Sequence, residues 1–133
     1  MTDERGLWMD GKLDYVTLKG FILHHSSTLM SWAKPQGYGS LFSSAARDSD
    51  GSFGDFGLNF EIADSMVNFE DMTINIKAVS TGTLQFYVWQ HIAVTVQYDA
   101  SLDQSTVSFF HDGQDNGVSV VSGMIMDYPD ESR

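Results

Sequence analysis

WQHIAVTVQYD, residues 89–99, decides the fold. From Ile92 onward apolar and polar side chains alternate. Ile92, Val94, Val96 and Tyr98 fall on one side, and Ala93, Thr95, Gln97 and Asp99 on the other. A period of two is the signature of a half-buried strand, and the β-branched residues suit a pleated surface. The same stretch raises a chemical question through His91. Within two residues of it there is no Asp or Glu, no second His stands at a metal-like spacing, and the chain has no Cys. Trp89 and His91 therefore read as a packing device. The tryptophan covers the edge of the core where the strand enters, and the histidine hydrogen-bonds a neighbouring loop.

Working outward, the same alternation recurs. Phe56, Leu58, Phe60 and Ile62 form a second row, Met72, Ile74, Ile76 and Ala78 a third, and Val107 and Phe109 a fourth against Thr106, Ser108 and Phe110. Thr28 to Lys34 is apolar on both faces (Leu29 and Ala33 against Met30 and Trp32), which predicts a strand covered on both sides. Between the rows lie Asp10-Gly11, Asp50-Gly51, Thr81-Gly82, Asp112-Gly113 and Asn116-Gly117. These dipeptides tolerate positive φ and predict tight reversals. Pro35 and Pro129 each follow an apolar run and suit its end. No stretch keeps a helical period. The chain reads as one all-β domain over residues 1–133, an antiparallel β-sandwich.

Composition narrows the function classes. At 133 residues with 42% hydrophobic side chains the chain can bury a core without disulfides, which the absence of Cys rules out. No apolar run approaches a membrane span, and MTDERGLWMDGK has acidic and polar residues where a signal peptide needs a basic start and an apolar stretch. Eighteen acidic against seven basic residues give a net charge of −11. Such a surface repels phosphate backbones and anionic headgroups, so neither nucleic acid nor membrane is an expected partner.

Four segments carry a family resemblance. Trp89-Gln90-His91-Ile92-Ala93-Val94-Thr95 resembles the tryptophan–histidine–valine–alanine–valine strand of laminin G-like domains, in the concanavalin A-like lectin/glucanase superfamily. Val107 to Gly113 resembles that family's strand ending in an Asp-Gly turn. Leu7 to Val16 is similar to its opening strand, and Thr28 to Pro35 to its next signature. Ser27 and His111 depart from the family pattern, and no closing strand is visible before Arg133. The resemblance implies a jelly-roll sandwich, with the chain as a compact variant or one whose last strands come from further sequence or a partner.

Candidate chemistry is sparse. Asp48, Asp50 and Asp55 gather in the Gly/Ser loop Arg47 to Asp55, where flexible carboxylates suit calcium. The resemblance adds weight, since many laminin G-like domains hold one calcium at the rim. Tyr38 in Gln36-Gly37-Tyr38-Gly39-Ser40 and Phe53 offer rings for a sugar face, and Asp115 and Asn116 offer polar partners. His24 and His25 are adjacent, so on a strand they point apart. Catalysis lacks a carboxylate pair. Asp64 has the wrong parity relative to Glu61, Glu70 and Asp71 diverge, and no Ser sits in a Gly-x-Ser-x-Gly elbow.

The chain is therefore expected to be a non-enzymatic extracellular or cell-surface recognition or adhesion module, binding glycans or proteins through rim loops, with calcium as a candidate ion. The alternative is a structural module that pairs with neighbouring chains through sheet edges. A degenerate glucanase is the third option.

Overall fold

The computed structural model describes residues 6–10, 14–16, 18, 23–44 and 57–125. Eight strands follow in chain order: β1 (Ser27–Ala33), β2 (Gly39–Ser43), β3 (Leu58–Ala63), β4 (Met66–Asp71), β5 (Ile76–Val79), β6 (Gln90–Asp99), β7 (Gln104–His111) and β8 (Gln114–Ser122). They form two antiparallel sheets of four, ordered β1-β6-β7-β8 and β2-β3-β4-β5, with no helix among the described residues. The all-β expectation holds, and the arrangement is sandwich-like, because both sheets feed one core.

That core follows from parity. Ile92, Val94 and Val96 of β6 and Val107 and Phe109 of β7 turn the same way and meet Leu58, Phe60, Ile62, Val67, Phe69 and Ala78 of the other sheet. Phe60 and Phe69, paired across β3 and β4, meet edge to face with ring centroids 6.4 Å apart.

Local chemistry corrects several expectations. The third row, Met72 to Ala78, is not one strand. Residues 72–75 form a turn that holds Asn75 at φ 56°, and β5 begins only at Ile76. The strand that completes this sheet is β4, which was not foreseen. It is joined to β3 by Asp64-Ser65, both left-handed at φ 51° and 61°. A two-residue hairpin loop of type I′ needs positive φ at both positions, and here Asp-Ser supplies it where Asn-Gly or Asp-Gly is the usual signal. Asp112-Gly113 does make the expected reversal, at φ 51° and 79°. Asn116-Gly117 does not. It lies inside β8, at an irregularity opposite Ser108 to Phe110. Nor is β1 covered on both faces: Met30 and Trp32 are 66% and 65% exposed. The described part of Leu7 to Val16, expected as an opening strand, is outside any strand.

The two turn dipeptides expected to be separate instead lock together. The Thr81 N–H donates to the Asn116 carbonyl oxygen at 2.9 Å and the Gly82 N–H to Asn116 Oδ1 at 2.7 Å. A Cβ on Gly82 would sit 2.7 Å from that same oxygen, so a larger residue would push the Asn116 amide out of its bond. Nearby, Ser80 Oγ accepts the Val67 N–H at 3.0 Å and faces the Gly82 carbonyl oxygen at 3.2 Å. These contacts fasten β8 of one sheet to the end of β5 in the other.

Phe69 fills the centre of this core at 1% exposure. Phe69→Ala should cost about 3–5 kcal/mol of folding stability, read as a lower urea midpoint at unchanged slope.

Candidate functional site

One end of the sandwich gathers the connections at residues 34–38, 64–65, 81–89 and 112–113. The Leu84 N–H donates to the Ser65 carbonyl oxygen at 2.6 Å and the Tyr87 N–H to that of Pro35 at 2.7 Å, so these segments form one continuous rim. The organiser of the rim is Gln90. It shares parity with Ile92, Val94 and Val96, which aims its amide inward, and it is buried. Its Nε2 donates to the carbonyl oxygens of Gln85 at 2.5 Å and Val88 at 3.1 Å. Its Oε1 accepts the Gln85 N–H at 3.1 Å and lies 2.8 Å from His111 Nε2. Because Oε1 can only accept, the hydrogen of that last bond sits on His111 Nε2.

The sequence reading named the two neighbours of Gln90 and missed Gln90 itself. The signal was present: a polar residue at the inward parity of an otherwise apolar face. Trp89 lies ahead of the strand on the outward parity and is 36% exposed. His91 does bond a neighbouring turn, through its backbone. Its N–H donates to Asp112 Oδ1 at 2.8 Å, and its carbonyl oxygen accepts the Asp112 N–H at 2.8 Å. The imidazole stands edge to face against Trp32, with centroids 5.4 Å apart.

With its loop closed by Gln90, the rim presents aromatic side chains. Tyr38, expected at the binding surface, is exposed and meets Phe86 edge to face at 6.0 Å. Tyr87 is exposed and left-handed at φ 65°. A bulky residue in that conformation costs of order 1–3 kcal/mol and is held there by its surroundings, a pattern that recurs at ligand sites. Asp115 is exposed on β8, beside Phe110. Asn116, expected as a ligand partner, is instead buried, and its side-chain oxygen is committed to Gly82.

Asp48, Asp50, Asp55 and Phe53 lie outside the described residues. The described residues on either side of them, Ser44 and Gly57, lie at the end of the second sheet away from Tyr38. Among the described residues no three His, Asp or Glu side chains come together as a metal site.

A carboxyl pair does assemble on the outer face of the second sheet. Glu61 of β3 and Glu70 of β4 sit diagonally on adjacent strands, two register positions apart on the same face. The pairing is invisible in sequence because it depends on the unforeseen hairpin at Asp64-Ser65. Asp71, adjacent to Glu70, turns inward and is buried, as the divergence of the two predicts. Burial, followed by the hydrogen bond and negative charge of Glu61, holds the Glu70 carboxyl above its ordinary value of 4.5, against the opposing influence of Lys77 and Asn59. Asn59 in turn accepts Ser40 Oγ–H at Oδ1, 2.7 Å away.

Comparison of the chain with family models, with curated proteins and with solved structures finds no match.

Gln90→Ala would strand the Gln85 and Val88 carbonyl oxygens. It should destabilise by about 2–3 kcal/mol, with hydrogen exchange of the 85–89 amides rising more than that of β7. Glu70 has a pH signature. Its folded carboxyl holds a proton more tightly than the unfolded one, so the folded state binds more protons just above pH 4.5. Its contribution is fully present below that pH and is lost as pH rises through the raised folded value. Urea midpoints measured against pH should show this fall, and Glu70→Gln should flatten it.

Proposed function

We propose that this protein is a non-enzymatic recognition module that takes a glycan at the aromatic rim. One observation carries the reading: Tyr38 and Tyr87 are exposed on loops whose backbones are tied to each other and to the strands. Exposed rings on a braced backbone suit the flat apolar face of a pyranose, because little conformational entropy is lost on binding. Asp112, in the turn between β7 and β8, and Asp115, just after it, supply polar partners for sugar hydroxyls at the same end.

The finer fold in this proposal is the laminin G-like jelly roll, supported by the four ordered segments of resemblance. With it come placement at a cell surface or outside the cell and a calcium ion in the Asp48, Asp50 and Asp55 loop. A protein ligand at the same rim is the other outcome to be separated.

The test is titration of an oligosaccharide panel by NMR, in EDTA and again in millimolar calcium. Shifts should concentrate at Tyr38, Tyr87 and their neighbours. Tyr38→Ala should weaken binding by roughly tenfold, about 1.4 kcal/mol, without moving the thermal midpoint. Binding lost in EDTA and in Asp50→Ala would add the metal. An absence of rim shifts with every sugar under both conditions would sink the proposal. Hydrolysis of a β-glucan, abolished by Glu61→Gln, would replace it with the glucanase reading.

A further inference from the structure

The outer face of the β2-β3-β4-β5 sheet carries a polar well. Register sets Ser40, Glu61, Asn68 and Val79 in one cross-strand row and Ser43, Asn59, Glu70 and Lys77 in the next. Val67 and Phe69, on either side of Asn68, point into the core. The Asn68 amide therefore points out, between Glu61 directly opposite and Glu70 two residues on. Asn59 and Asn68 are nearly covered, at 2% and 4% exposure, and form the floor of the well. They differ in their partners. Asn59 is committed to Ser40 and to Glu70. The Asn68 side chain makes no hydrogen bond with any described residue. Its amide keeps both acceptor and donor capacity for a group from outside the chain, where covered polar groups are ordinarily paired.

We propose that the glycan taken at the rim carries free amino groups and that Glu61, Glu70 and Asn68 hold one of them, which rests on the glycan reading and narrows its ligand. An ammonium has three N–H donors and no acceptor, and the well offers it an oxygen from each carboxyl and Oδ1 of Asn68. Two adjacent carboxylates repel one another, and a shared ammonium removes that repulsion while adding charge-assisted bonds. Lys77 faces Glu70 from β5 and acts on it by charge alone, so two carboxyls against one lysine leave a negative balance. Calcium takes about six to eight oxygens, more than these side chains supply beside a lysine. An acidic glycan is repelled by the same carboxyls and by the net charge of −11. The well is continuous with the rim. Tyr38 immediately precedes β2 and stands two residues, about 7 Å at full extension, from Ser40, which pairs with Glu61. One oligosaccharide therefore stacks a ring on Tyr38 and sets a nearby amine into the well.

The test is NMR titration of the intact chain with glucosamine oligomers and with N-acetylglucosamine oligomers of equal length, in a buffer that keeps the free amines protonated. The glucosamine series should bind roughly tenfold more tightly, the least that a charge-assisted bond brings, and it alone should shift the Asn68 side-chain amide. Glu70→Gln and Asn68→Ala should each erase that preference and leave the N-acetyl series unchanged, whereas Tyr38→Ala should weaken both. Glu61→Gln serves in their place if either folds poorly, as judged by circular dichroism. Rim shifts with equal affinity for the two series would overturn the amine assignment and leave the glycan reading standing. Shifts at Asn68 with glucosamine and none at Tyr38 or Tyr87 would sink the rim reading and keep the amine well. Shifts at Asn68 with a short lysine peptide and with neither sugar would overturn the assignment in favour of a protein partner. An Asn68 amide that no amine moves would overturn it outright.

Discussion

The rim of this protein depends on satisfying backbone groups where a sheet gives way to loop. Residues 85–89 make no ladder, so their polar groups need partners inside the molecule or in water. Gln90 supplies them. One amide both donates and accepts, as a backbone does, and it closes the loop onto the strand that follows. With the loop held, Tyr87 can bond Pro35 across to the connection between β1 and β2, and the rings of Tyr38 and Phe86 meet. Buried polar networks of this kind specify a geometry because each member left unpaired would cost more than it contributes when paired.

The second fastening works by the same logic across the sheets. Hydrophobic burial pulls two faces together without choosing their lateral position. The bonds from Thr81 and Gly82 to Asn116 do choose it, since a backbone oxygen and a side-chain oxygen of one residue receive two successive N–H groups. Gly82 leaves room for the Asn116 amide to approach, and Gly117 is required by a φ of 115°. Both glycines are visible as turn residues in sequence, yet neither serves the reversal that its dipeptide suggests.

The two outer faces divide the surface chemistry. One sheet turns Glu61, Glu70 and Lys77 to the outside, and Glu70 is pushed toward its protonated form by burial and by its neighbour. The other turns out Met30, Val118 and Val120 among hydroxyl side chains. The same face carries Asp115, in register with Phe110.

How much was legible beforehand follows from the range of the interactions involved. Alternation at Ile92 to Val96 and at Val107 to Phe109 is a local property of the chain, and the parity read there is the parity of the core. Tyr38 in its glycine-flanked loop was likewise readable as exposed. The sequence by itself thus determined the all-β class, the inward rows and one ring of the rim. Only the tertiary structure decided that Asp64-Ser65 turns a hairpin and so brings Glu61 beside Glu70. It alone decided that Asn116 is spent on Gly82, and that the outer side of β1 stays open. Each of these depends on which segment lies across from which, a pairing between residues distant in the chain that no local period records.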